Sequence, residues 1–401
     1  MSSTKPLASD TTRSGRVCGE AVVERERIRV LHVLWTSQFG GITLGVRDLI
    51  NAIDAGRYEI GVCVLADGDL DLAPLLPRPV RIDALHLTSG YDLAGAWRFC
   101  RMLRTTPCDL VHSHTPSALA ALALAFCRPR TPRVLHEHGD VMQRRGSWRA
   151  RLTYWCVARL YDRFVAVSAP LVADMTGATI AGPRIRVIEN AVDAGAAETA
   201  GGRQEARTRL GLDGDGLLVG TACRLAREKD LDLFLRVACR VRAVRQDVRF
   251  VIAGAGPLAK ELRQLAREYG LGDAVVFLGP RMDMPVVWRA MDLFLFTSLM
   301  ESFGRTLLES QASMTPVVAP RQVGGGAAEL VASSPGVLSV GSRDPDELAR
   351  GVLHVLASER LRHDLGRAGR DWVLQRSGVG EWAAKVQSLY DDLCQKSGTP
   401  S

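Results

Sequence analysis

Two carboxylates stand eight residues apart in the segment 301–309. Glu301 follows a predicted strand over 293–296, and Glu309 lies two turns into the helix that this segment opens. The helix N-terminus near Gly304 offers free N–H groups and a positive dipole end to a phosphate or a sugar hydroxyl. A carboxylate can also accept two hydrogen bonds from a ribose diol. The alternative is a pair of solvated helix carboxylates, because isolated glutamates are mostly exposed.

A second charged segment, 224–230, lies between a predicted strand over 217–221 and a predicted helix. Arg224 and Lys229 place two separated cations at a strand end. A bidentate arginine and a mobile lysine suit a diphosphate. Lys229 is one of only five lysines among 51 basic residues. The alternative is a solvated charged loop.

Glycine turns follow several predicted strands. The pair ending in Gly41 follows the first strand, and Gly325 is the middle of a triple glycine at 324–326. Such turns can expose backbone N–H groups to an anion. They also end strands for steric reasons alone. No P-loop is present, because the sequence has no Gly-Lys-Ser/Thr at the required spacing.

Four of the eight histidines, His112, His114, His136 and His138, lie at the ends of two predicted strands. His138 is the functional candidate, because Gly139 follows it at a strand end, where a side chain naturally faces a cleft. The alternating positions on separate strands are not a recognised zinc spacing, so no metal site is predicted. The alternative for each is a satisfied core or surface histidine.

Basic and aromatic residues interleave over 144–155 at the start of a predicted helix. This pattern is typical of a membrane-surface patch or of a site for an anionic acceptor. A solvated helix face with partly buried aromatics is the alternative.

The elements that must position these residues alternate between strand and helix along the whole chain, which predicts an α/β protein of two Rossmann-like domains with a cleft between their sheets. The 401 residues carry a net charge of +7, too little for a dedicated nucleic-acid binder. We predict a polar N-terminal tail over 1–27, a first domain over 28–194, a linker over 195–215 and a second domain over 216–379.

The nine cysteines show no CxxC spacing, which favours reduced thiols in a cytosol. The tail lacks the apolar stretch of a secretory signal, and the longest apolar run, 118–127, is too short to span a bilayer. We therefore expect a cytoplasmic protein, with the inner face of the membrane as the alternative through 144–155.

Residues 28–394 resemble the retaining glycosyltransferases of family 4, which have the GT-B fold of two facing Rossmann-like domains. The resemblance rests on many stretches in family order, among them FGGITLGVRDLI, DLVHSHTPSALA, RVLHEHGD, RLAREKD, FVIAGAGP, MESFGRTLLE and GGGAAEL.

The resemblance implies a nucleotide-diphosphate sugar in the second domain. It places Glu309 on the ribose hydroxyls, Glu301 on the donor sugar, and Arg224 and Lys229 on the diphosphate.

The remaining implied roles are smaller contacts. Gly41 would approach the phosphates, and His138 would approach the transferred sugar. The base would lie near Arg281 and Met282. The acceptor would bind the first domain, onto which the last helix, 380–394, would cross back.

The implied reaction is transfer to an acceptor hydroxyl with retention and without a metal or other cofactor. It would serve the biosynthesis of a cell-surface polysaccharide, a glycolipid or a natural-product glycoside. A nucleotide-sugar epimerase of similar fold is the main alternative. A Rossmann dehydrogenase is disfavoured, because the first turn lacks GxGxxG. A non-catalytic binding subunit is disfavoured, because all four charged positions are present.

The sequence departs from the family pattern at turns near the expected nucleotide. Cys223, Ala191 and Met314 replace usual glycines, and Thr297 replaces a common proline. These departures bear on the fine geometry of donor binding.

Overall fold

The computed structural model describes residues 27–396, except positions 39, 69, 77–78, 91, 140–146, 213 and 215. Two parallel β-sheets organise these residues, one from each half of the chain. Parallel strands need crossover connections, and helices supply most of them. The described chain is therefore α/β, as the alternating sequence pattern predicts.

The first sheet has the strand order β3-β2-β1-β4-β5-β6-β7. Its strands are β1 (Ile28–Thr36), β2 (Tyr58–Ala66), β3 (Arg81–Ala84), β4 (Leu110–Ser113), β5 (Arg133–Glu137), β6 (Arg163–Ala166) and β7 (Ile185–Val187). The helices between them are α1 (Gly41–Ala52), α2 (Leu93–Thr105), α3 (Ala118–Cys127), α4 (Trp148–Leu160) and α5 (Ala169–Gly177). The sequence pattern misses β3, because this edge strand has no fully buried residue.

The second sheet has the strand order β10-β9-β8-β11-β13-β15, and β12 pairs with β14 separately. The strands are β8 (Leu218–Ala222), β9 (Arg249–Ala253), β10 (Val275–Gly279), β11 (Leu293–Leu295), β12 (Met300–Glu301), β13 (Val317–Pro320), β14 (Gly324–Gly325) and β15 (Val337–Val340). The helices are α6 (Arg203–Arg209), α7 (Leu231–Val244), α8 (Ala259–Glu268), α9 (Met284–Ala290), α10 (Arg305–Ala312), α11 (Ala327–Ser333), α12 (Pro345–Leu356) and α13 (Glu359–Arg376).

The segment 195–215, predicted as a linker, contains a short 3₁₀ helix and α6. Arg207 of α6 is buried and donates hydrogen bonds to the carbonyl of Ala290 and to Asp292 at 2.5 Å. An ion pair buried this deeply holds α6 against the second sheet, because separating its partners would leave an uncompensated charge.

The last helix, α14 (Val379–Lys396), returns to the first sheet. Trp382 and Tyr390 are buried in the same apolar cluster as Val30 of β1 and Leu110 of β4. The Tyr390 hydroxyl lies 2.6 Å from Nδ1 of His112. Helix α14 therefore completes one face of the first sheet.

Five histidines lie together on that face. His32 pairs in register with His112 on the neighbouring strand, and residues two apart on a strand share a face, which adds His114, His136 and His138. Nδ1 of His32 lies 2.9 Å from Nε2 of His114, whose Nδ1 lies 3.3 Å from Nε2 of His138. Burial lowers the pKa of His32 to about 3, and burial with nearby Arg305 lowers the pKa of His138 to about 4. These two rings are therefore neutral at neutral pH.

The two halves contact each other around Ser302. Gly139 has a φ of +117°, and a Cβ built there would lie 1.7 Å from the Ser302 hydroxyl oxygen. A Cβ on Gly326 would lie 2.3 Å from the Ser302 carbonyl, which also accepts a hydrogen bond from Ser168 at 2.7 Å. Glycine at 139 therefore allows the end of β5 to reach the loop that precedes α10.

We predict that Gly139→Ala lowers the melting temperature by several degrees. The substitution forces an alanine into the left-handed region and against Ser302, which together cost about 2 kcal/mol or more. Differential scanning fluorimetry measures the shift. Gly41→Ala is the matched control, because its new Cβ meets no atom of the described residues within 4 Å. An unchanged melting temperature for Gly139→Ala would contradict this packing of the two halves.

We predict that acid destabilises the fold through the buried histidines. The pKa of His32 is about 3 in the folded chain and about 6.5 when unfolded, so between these values the unfolded state binds more protons. Stability should therefore fall as the pH drops below about 6.5, by about 2 kcal/mol at pH 5 from His32 alone.

Urea titrations at several pH values test this effect. His32→Gln should show a shallower loss of stability between pH 7 and 5 than the parent protein. His363→Gln, at an exposed position, should retain the parent slope. Equal slopes for His32→Gln and the parent would count against a buried neutral imidazole.

Candidate functional site

Lys229 and Glu301 meet at the carboxyl end of the second sheet, beyond the neighbouring strands β8 and β11. The Lys229 Nζ lies 2.5 Å from Oε1 of Glu301, and the two side chains are only 14% and 17% exposed. The Ser298 hydroxyl donates to the same oxygen at 2.9 Å. The structure thus brings two of the predicted charged residues into one partly buried pair.

Arg343 fixes the loop that carries Lys229. Its guanidinium donates at 2.6 Å both to Asp230 and to the carbonyl of Thr297. The Thr297 hydroxyl in turn donates to the Lys229 carbonyl at 2.9 Å. Sequence reasoning missed Arg343, although its position directly beyond β15, at another strand end of the same sheet, is a usable signal.

Arg224 lies farther out. Its side chain is 57% exposed and makes a 2.5 Å ion pair with Glu228. Within the described residues, no ion pair or hydrogen bond joins it to Lys229 or Glu301. Such an exposed pair is worth less than about 1 kcal/mol, so the Arg224 guanidinium can exchange partners at little cost.

Arg305, at the start of α10, bridges the two halves of the chain. It donates through Nε to Glu309 at 2.7 Å and through Nη2 to Asp48 of α1. Burial by itself would lower the pKa of Arg305, but the two carboxylates outweigh it and raise that pKa above its usual value. Its Nη1 is buried and has no hydrogen-bond partner among the residues that the structure describes. Sequence reasoning missed Arg305. Its position was a usable signal, because a cation at the positive N-terminal end of a helix is unfavourable unless a nearby anion compensates it.

Glu309 has donors on both carboxylate oxygens. Arg305 donates to Oε1, and the Trp288 indole N–H donates to Oε2 at 3.4 Å. A carboxylate has about four acceptor positions, so these two donors leave room for a ligand hydroxyl. The side chain is 17% exposed, which keeps it within reach of a molecule in the cleft.

One face of α1 is directed at Arg305. Gly41, Gly45 and Asp48 lie at positions i, i+4 and i+7, and such residues share a helix face. A Cβ on Gly45 would lie 3.5 Å from the Arg305 guanidinium, whereas one on Gly41 would have none of the described atoms within 4 Å. His138 is close enough for Arg305 to affect its pKa. Gly41 and His138 therefore border the side of the cleft formed by the first half.

Two glycines surround Glu301. Gly325 pairs with Glu301 in the short β12–β14 ladder and has a φ of +77°. Gly304 has a φ of +93° and precedes α10. Their backbones therefore flank the Lys229–Glu301 pair on the side of the α10 N-terminus.

Arg281 and Met282 lie separately, beyond β10 at the edge of the second sheet. Arg281 pairs with Asp283 at 2.7 Å, which raises the pKa of Arg281, and Met282 is 40% exposed. No hydrogen bond or ion pair within the described chain links Arg281 to Lys229 or Glu309.

Among the described residues, the histidines are the ones that could hold a metal ion. Two groups of three, His32-His112-His114 and His114-His136-His138, each place one ring nitrogen per residue within 4.8 Å of the others. Sequence spacing predicts no metal site here, because it does not show that the side chains of adjacent strands converge on one face. The carboxylates near Lys229 belong to neither group.

Two family models match the chain in succession. Glycosyltransferase Family 4 covers residues 39–195, and Glycosyl transferases group 1 covers residues 202–372. A D-inositol 3-phosphate glycosyltransferase of Salinispora tropica is 33% identical over 403 residues, covering 90% of this chain and 82% of that protein. The corresponding protein of Salinispora arenicola is 34% identical, and that match covers 60% of this chain and 58% of its own length.

Solved structures share the fold. Anabaena HepE in complex with UDP-glucose has a TM-score of 0.79 at 21% identity, covering 91% of this chain and all of that one. WaaG, a glycosyltransferase of lipopolysaccharide biosynthesis, has a TM-score of 0.73 at 16% identity, covering 90% and 99%. With two parallel sheets, the GT-B arrangement and both family models matched in order, the chain belongs to the group 1, family 4 glycosyltransferases.

Proposed function

We propose that this chain transfers a sugar from a nucleoside diphosphate sugar to an acceptor hydroxyl, with retention and without a metal at the diphosphate. The observation that carries the proposal is the partly buried Lys229–Glu301 pair at the strand ends of the second sheet. The HepE structures with UDP and UDP-glucose support this choice of donor. The donor then occupies the second half, 216–379, and the acceptor the first, 28–194.

Lys229 and Arg224 stabilise the departing diphosphate in this proposal. Breaking the glycosidic bond develops negative charge on the leaving group, and cations already in place stabilise it without reorganisation. Lys229 is held by its loop, whereas Arg224 can leave Glu228 and turn toward the phosphates. These two cations take the part that a metal ion plays in other phosphate chemistry.

The carboxylates and the imidazole bind the sugar and the nucleoside. Glu301 accepts hydrogen bonds from the donor sugar, and Glu309 accepts them from the ribose hydroxyls. His138, neutral at physiological pH, contacts the transferred sugar without adding charge to the cleft. Arg281 and Met282 lie by the base, and the backbones of Gly41, Gly304 and Gly325 approach the phosphates.

Retention follows if the acceptor hydroxyl attacks on the face from which the diphosphate leaves. A departing phosphate oxygen can accept the hydroxyl proton, so no covalent nucleophile is required. Hydroxyl-bearing saccharides, lipid-linked sugars and small glycosides all satisfy this requirement. Polysaccharide, glycolipid and natural-product glycoside biosynthesis are therefore the pathways in which we place the enzyme.

A nucleotide-sugar epimerase is the second candidate, because it would use the same donor and the same fold. The two functions differ in what happens to the donor when it is incubated with the protein without an acceptor. An epimerase converts it to a stereoisomer, whereas a transferase leaves it intact or hydrolyses it slowly. Nuclear magnetic resonance of UDP-glucose incubated with the protein distinguishes these products.

We predict that a nucleoside diphosphate raises the melting temperature, and that Glu309→Gln weakens the binding about tenfold, because a neutral amide loses charge-assisted bonds to the ribose. A panel of UDP, GDP, ADP and TDP identifies the base, and titration calorimetry then measures the affinity. Glu359→Gln, at an exposed position, should bind like the parent. Parent-like affinity for Glu309→Gln would contradict its ribose role.

We predict that Lys229→Met and Arg224→Gln each lower kcat by at least about a hundredfold while the fold stays intact, because each removes a cation from the leaving group. Release of the nucleoside diphosphate from the donor measures turnover. Lys260→Met, on the exposed side of α8, is the matched control. Parent turnover in either variant would remove that residue from the proposed mechanism.

We predict that EDTA leaves transfer unchanged, because two cationic side chains neutralise the diphosphate. Metal content is measured by mass spectrometry before and after treatment, so that an ion held by the histidines is not overlooked. A strict requirement for added Mg²⁺ or Mn²⁺ would contradict the prediction.

A further inference from the structure

Helices α2, α3 and α4 lie side by side on the first half of the chain, each packed against the next. Each has buried residues facing the sheet and large apolar residues facing away from it. We call these outward residues, together with the arginines on the same helices, the α2–α4 surface. Its apolar members are Leu93, Trp97, Leu122, Phe126, Trp148, Leu152 and Trp155.

These seven side chains are between 48% and 80% exposed. They are spaced three or four residues apart on each helix, so every helix presents one apolar line. The Arg104 guanidinium of α2 lies 5.9 Å from the Phe126 ring of α3, which joins two of the lines. Among the described residues, only six other large apolar side chains are comparably exposed, and they are dispersed over other elements. An apolar surface this concentrated marks an interaction site.

The charge on the three helices has one sign. They contain six arginines and neither aspartate nor glutamate. Arg159 lies 4.0 Å from the Trp155 ring, and Arg101 lies 5.9 Å from the Trp97 ring. Arginines that stack on aromatics can extend their charge beyond an apolar layer while the rings enter it.

We propose that the α2–α4 surface binds an anionic lipid bilayer. Tryptophan prefers the boundary between headgroups and acyl chains, and arginine pairs with anionic headgroups at the same depth. A second copy of this chain fits less well, because a two-fold interface would bring arginines against arginines. The sequence pattern over 144–155 contributes only one of the three helices, and positions 144–146 lie outside the described residues.

The contact is peripheral. No helix in the described part of the chain is long and apolar enough to cross a bilayer. In a parallel α/β unit the helices begin at the carboxyl edge of the sheet, so Leu93 and Trp148 lie at the edge that carries His138 and the cleft. A bilayer under this surface therefore places a lipid-held acceptor beside the first half. The bilayer contact itself goes beyond the proposed transfer reaction and does not depend on it.

Vesicle co-sedimentation of the full chain tests the proposal. The parent protein should bind vesicles of equal parts phosphatidylcholine and phosphatidylglycerol, and bind pure phosphatidylcholine much less. A variant that combines Arg101→Gln, Arg104→Gln and Arg159→Gln should bind about a hundredfold more weakly. Each lost charge weakens binding about fivefold, and the three effects multiply. Combining Trp97→Ser, Phe126→Ser and Trp155→Ser should weaken it at least about tenfold.

The control variant carries Val244→Ser and Leu374→Ser, two exposed apolar positions elsewhere, and should bind like the parent. All variants should keep the parent melting temperature, because the altered side chains are largely exposed. The proposal is overturned if the parent protein does not bind anionic vesicles. It is also overturned if the variant with Trp97→Ser, Phe126→Ser and Trp155→Ser binds them as well as the parent does. It is also overturned if light scattering finds a parent dimer that these same substitutions dissociate, since the surface would then belong to a second copy.

Discussion

A single buried guanidinium bridges the two halves of this molecule. Arg305 lies in the first turn of α10, and its partners are Glu309 on the same helix and Asp48 on α1 of the other half. Removing one partner from such a buried set leaves an uncompensated charge, which costs several kcal/mol. The bridge therefore holds α1 and α10 in one arrangement. Both helices follow strands of parallel sheets, so both begin at the cleft and direct free N–H groups into it.

The charges of the cleft are balanced before a ligand arrives. Lys229 is paired with Glu301, Arg305 and Arg47 together pair with the carboxylates of Glu309 and Asp48, and the imidazole of His138 is neutral. Cations held in this way need no reorganisation when negative charge appears beside them, which is the basis of electrostatic preorganisation. Arg224 differs from these residues in its exposure to solvent. Arg224 stays in solvent with a weak partner, so it can move while the others remain fixed.

Local patterns in the sequence were enough to predict the alternating strands and helices, and the position of Glu301 and Lys229 at strand ends. They could not predict contacts between residues far apart in sequence. The ion pair of Arg207 with Asp292 turns part of a predicted linker into a packed helix, and its partners are 85 residues apart. Likewise, the bridge from Arg305 to Asp48 joins residues 257 positions apart, so no local pattern could predict it. The convergence of five histidines depends on strand order, which periodicity does not encode.

The return of α14 to the first sheet has a consequence for biosynthesis. The ribosome synthesises the first half before the second half and α14. The surface of Val30 and Leu110 that α14 later covers therefore stays exposed while the whole second half is synthesised. The second half has its own sheet and can form its core during that time. The part of this face that α14 covers is buried only after the final helix has left the exit tunnel. That apolar surface is therefore open to chaperones and to aggregation until synthesis of the chain is complete.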